Sequence, residues 1–211
     1  VSSVEALVVK VDGVIIDPRS VGNTVPTGVA DTYDTGENGV LNVSPASELG
    51  TLVDNDNTGT GAFTVELVAG PANGTLTLNA DGTFSFNPGA AFDYLAAGQS
   101  AVETFTYRIV NSAGVSAPIT VSLNISGAND AATLGGVRSG TVSEDNSVTS
   151  AAGAVTITDA DAGQAALANP GTRQGTYGSL VLAADGTWTY TINNSLATTQ
   201  ALGADDAGTE S

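Results

Sequence analysis

The side chains of this chain that could do chemistry are its carboxylates. Aspartate pairs separated by one residue stand at Asp54/Asp56 and at Asp159/Asp161. On an extended loop such a pair points two carboxylates the same way. Further acids recur around each pair at nearly one interval. Glu37 and Glu144 lie 107 residues apart, Asp54 and Asp159 105, Glu103 and Glu210 107, and Asn23 and Asn129 106. Oxygens in this pattern suit a hard divalent cation, because calcium takes six to eight ligands from carboxylates, Asn or backbone carbonyls and water. A single Asp-x-Asp would read as a turn, since Asp and Asn favour turns. The recurrence of Glu, Asp-x-Asp and Glu in two copies favours the cation.

Composition removes most other chemistry. The 211 residues include no His and no Cys, so Ser-His-Asp and Cys-His machinery is impossible. A carboxylate pair could serve glycoside hydrolysis, but no aromatic-lined cleft is suggested. Trp188 and the tyrosines fit packing better than a sugar platform. The chain therefore reads as non-enzymatic. With 22 acidic against 5 basic residues the net charge is −17, which argues against nucleic acid, whose phosphates need clustered Lys and Arg. Anionic membrane surfaces repel such a chain, and no apolar run is long enough to insert in a bilayer. No signal peptide is recognisable. The absence of Cys fits an exported protein that is stable without disulfides. The absence of Met is read as a mature product or an excised piece.

One stretch that must position these acids is spelled twice. Residues 74–86 read GTLTLNADGTFSF and residues 178–190 read GSLVLAADGTWTY. Each is an alternating apolar run, then Ala-Asp-Gly, then a second alternating run, which predicts a β-hairpin. A three-residue loop with a left-handed glycine pairs Leu78 with Phe84, Leu76 with Phe86, Leu182 with Trp188 and Leu180 with Tyr190, so that all large apolar residues share one face. Asp81 and Asp185 are then turn residues, and Asp93 reads as a loop cap. Two units follow, each the size of a small β-sandwich. Residues 23–128 form the first, with strands at Phe63 to Val68, Glu103 to Val110 and Ile119 to Ile125. Residues 129–211 form the second. Residues 1–22 fall outside the repeat and suggest two strands around the turn Asp12-Gly13, then a linker.

The run containing DNDN, GTLTLNADGTFSFNP, FDYL, ETFTYRIVNSAG and ITVSLNISGAND, with AADGTWTYTI in the second copy, resembles the cadherin-like and VCBS-type repeats of large bacterial surface adhesins, RTX adhesins among them. The resemblance covers about 31–211. It implies an all-β fold of tandem Ig-like antiparallel β-sandwiches, with the second incomplete in this chain. It also implies calcium at the junctions between repeats, type I secretion to the cell surface, and a role as an extender in attachment or biofilm. Carried over by residue, the junction between the units would use Glu103, Asn129, Asp130, Glu144, Asp159 and Asp161. The junction before the first unit would use Asn23, Asp31, Glu37, Asp54 and Asp56. Asp205, Asp206 and Glu210 would serve the junction after the second. Thr24 stands where Asp130 stands in the other linker, leaving the earlier site one carboxylate poorer.

The partners implied are neighbouring repeats of one long extracellular chain. The second unit as written lacks two closing strands, and truncation is the preferred reading. Strand addition from another copy, with the apolar strands at 4–16 as donors, is the alternative. That alternative makes the protein a self-assembling filament or surface-layer subunit. A carbohydrate-binding module is a further possibility for which no ligand pocket is evident.

Overall fold

In this computed structural model residues 9–11, 14–16, 23–145, 148–203 and 206–210 are described. Residues 1–8, the predicted turn Asp12-Gly13, residues 17–22 and Asp205 lie outside them. The chain divides into two compact units, Val1–Asn129 and Asp130–Ser211.

The first unit begins with β1 (Val9–Val11) and β2 (Val14–Ile16), an antiparallel pair joined to no other strand among the described residues. Then come β3 (Asp31–Gly36), β4 (Leu41–Val43), β5 (Phe63–Ala69), β6 (Thr75–Leu78), β7 (Phe84–Asn87), β8 (Ser100–Asn111), β9 (Gly114–Val115) and β10 (Ile119–Ser126). They form two layers. One sheet runs β3-β10-β8-β5 with β9 on β8, and the other runs β4-β7-β6. Pairing is antiparallel except between β10 and β3, which run parallel with Val121 opposite Asp31 and Ser126 opposite Gly36.

Period-two alternation builds the core between the layers. β8 turns Glu103, Phe105, Tyr107 and Ile109 inward, and β10 does the same with Ile119, Val121, Leu123 and Ile125. Phe84 packs edge-on against Tyr33 at 5.2 Å and Phe105 at 5.3 Å, the arrangement favoured by ring quadrupoles. The predicted hairpin register is observed: Leu76 faces Phe86 and Leu78 faces Phe84. Gly82 takes the left-handed conformation at φ 85°, and Asp81 accepts hydrogen bonds from the Thr83 amide and hydroxyl. The hairpin tip is tied to the sandwich by Leu52 N–H to Gly82 O and Val65 N–H to Ala80 O.

The second unit contains β11 (Thr133–Gly136), β12 (Ser150–Thr158), β13 (Gly171–Gln174), β14 (Gly178–Leu182), β15 (Thr187–Ile192) and one helical turn, α1 (Ala197–Gln200). Its strands form one antiparallel sheet in the order β11-β12-β15-β14-β13. The hairpin register is again as predicted, with Leu180 opposite Tyr190 and Leu182 opposite Trp188. The edge differs from the first copy. β5 pairs with β8, whereas β13, at the equivalent place in the repeat, pairs with β14. Among the described residues of this unit no strand corresponds to β8 or β10, so the β13 backbone groups bond to the neighbour that is present. Trp188 is buried against Gly153, where an added Cβ would lie 2.8 Å from the indole. Its ring N–H donates to Val137 O.

Candidate metal centre

β3 separates the acids of the first unit into two groups. At its start, Asp31 accepts from Asn55 Nδ2 at 3.0 Å through one oxygen and lies 3.1 Å from the Tyr107 hydroxyl through the other. Asp56 accepts from the same hydroxyl at 2.7 Å and from the Val29 amide at 2.7 Å. Tyr107 also lies 2.9 Å from Leu52 O. Burial pushes the Asp31 carboxyl up to about 6, against the lowering effect of Tyr107 and Asn55. Burial and the two aspartates push the Tyr107 phenol up, so it remains a donor.

Just beyond the other end of β3, Glu37 is 2% exposed. One of its oxygens accepts the Ala128 amide at 2.7 Å, and its own amide donates to Ser126 O. Glu37 stands six residue steps from Asp31 along extended chain, roughly 20 Å. The expected grouping of Glu37 with Asn23, Asp31, Asp54 and Asp56 is therefore corrected: Glu37 belongs with the segment that leaves the unit. Asp54 also stands apart. The Thr51 hydroxyl and amide hold it in its own turn and lower its carboxyl below the usual range. Asn23 bonds Thr60 N–H, Asn111 Nδ2 and Ser112 Oγ, which fastens the entry segment to two loops.

The second unit repeats the division along β12. Asp161 is 2% exposed and accepts the Asp130 amide at 3.0 Å. Its own amide donates to Asp159 at 2.9 Å, so the Asp130 backbone and the Asp159 and Asp161 carboxylates meet beyond the end of β12. Glu144 does not join them. Its carbonyl accepts from Asn194 Nδ2, next to the end of β15 that pairs with the start of β12. The nine residues of β12 put it roughly 30 Å from the aspartates. The expected convergence of Glu144 with Asp159 and Asp161 is corrected in the same sense as Glu37. The similar intervals of 105 and 107 residues said nothing about which end of a strand each acid occupies.

Glu103 and Glu210 act as loop clamps. Glu103 is 8% exposed and accepts from the Ala72 amide, the Asn73 amide and Asn73 Nδ2 at 3.0 to 3.2 Å. Burial would raise its carboxyl, but these donors outweigh burial and hold it below the usual range. Glu210 accepts from the Tyr177 amide and the Tyr190 hydroxyl in the same way. Both are therefore engaged with loops in a manner the ligand expectation did not include. Asp206 closes a turn on Gly203. Sequence reasoning missed Tyr107 and Asn55. The available signal was a tyrosine at an inward position of β8, whose hydroxyl must find a partner when buried.

Three carboxylate oxygens among the described residues are buried without a hydrogen-bond partner: one each of Glu37, Glu144 and Asp161. A buried unpaired carboxylate oxygen is costly, and a bound cation is one way to satisfy it. These donors fit a hard ion. Among the described residues, however, no three carboxylates stand close enough to form a complete site by themselves. Any ion would complete its shell with carbonyls and water.

A sequence profile of the family described as bacterial cadherin-like domain matches residues 23–127. Residues 23–127 are a bacterial cadherin-like domain. No curated protein matches the chain. Among solved structures, the cadherin-like fold aligns with the protocadherin gammaB4 extracellular domain at TM-score 0.46 and 13% identity, over 84% of this chain and 28% of that one. Drosophila N-cadherin EC1-4 aligns at TM-score 0.40 and 12% identity, over 79% of this chain and 40% of that one. This chain thus spans less than half the length of either.

Proposed function

We propose that the chain is an extracellular adhesion or structural repeat stiffened by calcium. The observation that carries the reading is the set of buried, unpartnered oxygens on Glu37, Glu144 and Asp161. In the first unit Glu37 already touches the exit segment at Ala128, and in the second Asp161 touches the entry segment at Asp130. In the second unit the Asp159 and Asp161 carboxylates beside Asp130, with carbonyls and water, would hold an ion, and in the first unit Glu37 would hold one with carbonyls and water. Calcium supplies positive charge there, and the carboxylates that repel one another without it become fixed. Extracellular calcium modules bind at about 10⁻⁴–10⁻³ M, so such sites are empty in a cytosol and filled outside. Calcium at ten times its dissociation constant stabilises a folded unit by about 1.4 kcal/mol.

On this reading the parent is an exported bacterial surface adhesin of RTX type, secreted by a type I route, and the chain is a spacer in attachment or biofilm. Its partners are neighbouring repeats. Thermal melting in millimolar calcium and in EDTA tests it. A higher melting temperature in calcium is expected, and superimposed curves would count against the reading.

A second reading, self-assembly by strand exchange, is favoured by one observation. Among the described residues β1 and β2 pair only with each other, and the second unit has a single sheet. Sedimentation across a wide concentration range tests it: a concentration-independent monomer would exclude it.

A further inference from the structure

The two ends of the first unit treat their carboxylates differently. At the start of β3 Asn55 Nδ2 donates to Asp31, the Val29 amide donates to Asp56, and the single proton of the Tyr107 hydroxyl is shared among Asp56 at 2.7 Å, the Leu52 carbonyl at 2.9 Å and Asp31 at 3.1 Å. At the other end one Glu37 oxygen is buried with no hydrogen-bond partner among the described residues. The donors at the first end also reach the entry segment. Thr27 and Asn57 exchange two backbone hydrogen bonds at 3.0 and 2.9 Å, and Val29 is bound to Asp56. Between them Gly28 lies so close to Ile119 that a Cβ there would collide with that side chain. The segment is thus laid onto the sandwich by contacts made by the chain alone. The shared element is the Tyr107 hydroxyl, on a fully buried ring, which joins Asp31, Asp56 and the Leu52 carbonyl.

We propose that Tyr107 closes a cation-independent latch that fixes residues 27–31 to the first sandwich. In that case Asp31 and Asp56 are positioning residues for the entry segment, and the calcium response lies with the carboxylates that keep an unpartnered oxygen. This contrast rests on the calcium reading above; the latch itself does not. It reverses the expectation from sequence, where Asp54-x-Asp56 and Asp159-x-Asp161 were equivalent. The copies differ because Asp56 has both oxygens occupied by donors from its own unit, whereas one Asp161 oxygen has no partner among the described residues.

Amide hydrogen exchange on the full chain tests the latch, in EDTA and in millimolar calcium. In the wild type, Thr27 and Val29 are expected to be equally protected in both buffers. Tyr107→Phe should speed their exchange at least tenfold in both, while amides of β12 and β15 keep their wild-type rates. Wild-type protection at Thr27 and Val29 that collapses in EDTA and returns with calcium would overturn the latch, as would a Tyr107→Phe variant that exchanges like the wild type. If the variant does not fold, the wild-type comparison alone decides. A chain in which no amide responds to calcium would defeat the calcium reading and leave the latch standing.

Discussion

Glu103→Gln is expected to destabilise the first unit equally with and without calcium. The Glu103 carboxylate accepts three hydrogen bonds from Ala72 and Asn73 at 3.0 to 3.2 Å and a weaker one from the Thr104 amide at 3.3 Å. A glutamine offers one acceptor oxygen, and its amino group confronts the donors on the other side. Hydrogen bonds to a charged group contribute about 1.5–3 kcal/mol each. Ala72 and Asn73 are exposed, so their released N–H groups return to water and the low end applies. The net loss is then about 2–3 kcal/mol. In a domain of about 100 residues that lowers the melting temperature by roughly 10–20 °C. Because the carboxyl is held low in the folded state, its contribution is present above the unfolded value, near 4.5, and is lost as pH falls through the lower folded value. The wild-type and variant curves should therefore converge in acid. Circular dichroism melts in EDTA and in calcium read the effect. Trp188 is the single tryptophan and reports the second unit, so its fluorescence transition should not move. A loss confined to the calcium sample would show Glu103 to be a ligand after all, and no loss in either buffer would refute the clamp.

Asp31 shifts the other way. Burial raises its carboxyl to about 6, so its contribution is complete below the unfolded value near 4 and is lost as pH rises through 6. Asp31→Asn should flatten that part of the first unit's stability profile between pH 4 and 7, measured by denaturant titration; equal slopes in the two proteins would contradict it. In the second unit, Gly153→Val places methyl groups where the Trp188 ring lies. It should displace the indole, red-shift its emission and cost about 1–3 kcal/mol, and an unchanged spectrum and melt would show that the ring is not packed there.

The hairpins were legible because alternation and loop length leave one register that puts Leu76, Leu78, Phe84 and Phe86 on a single face. The clamp was half visible. Glu103 sits at the inward period of Phe105, Tyr107 and Ile109, but its partners Ala72 and Asn73 come from a loop that sequence spacing does not place. The grouping of the acids was not legible. A repeat interval relates Glu37 to Glu144 and Asp54 to Asp159, yet it is the same whichever end of β3 or β12 they occupy. The pairing of β13 with β14 was hidden for a related reason, since spacing along the chain does not say which neighbour a strand joins.

Calorimetric titration of calcium into the wild-type chain and into Glu37→Gln and Asp161→Asn tests the central claim most directly. The account predicts saturable binding in the range of about 10⁻⁴–10⁻³ M, weakened at least tenfold at one site by each substitution. Absence of binding heat in the wild type, or three superimposable isotherms, would contradict it.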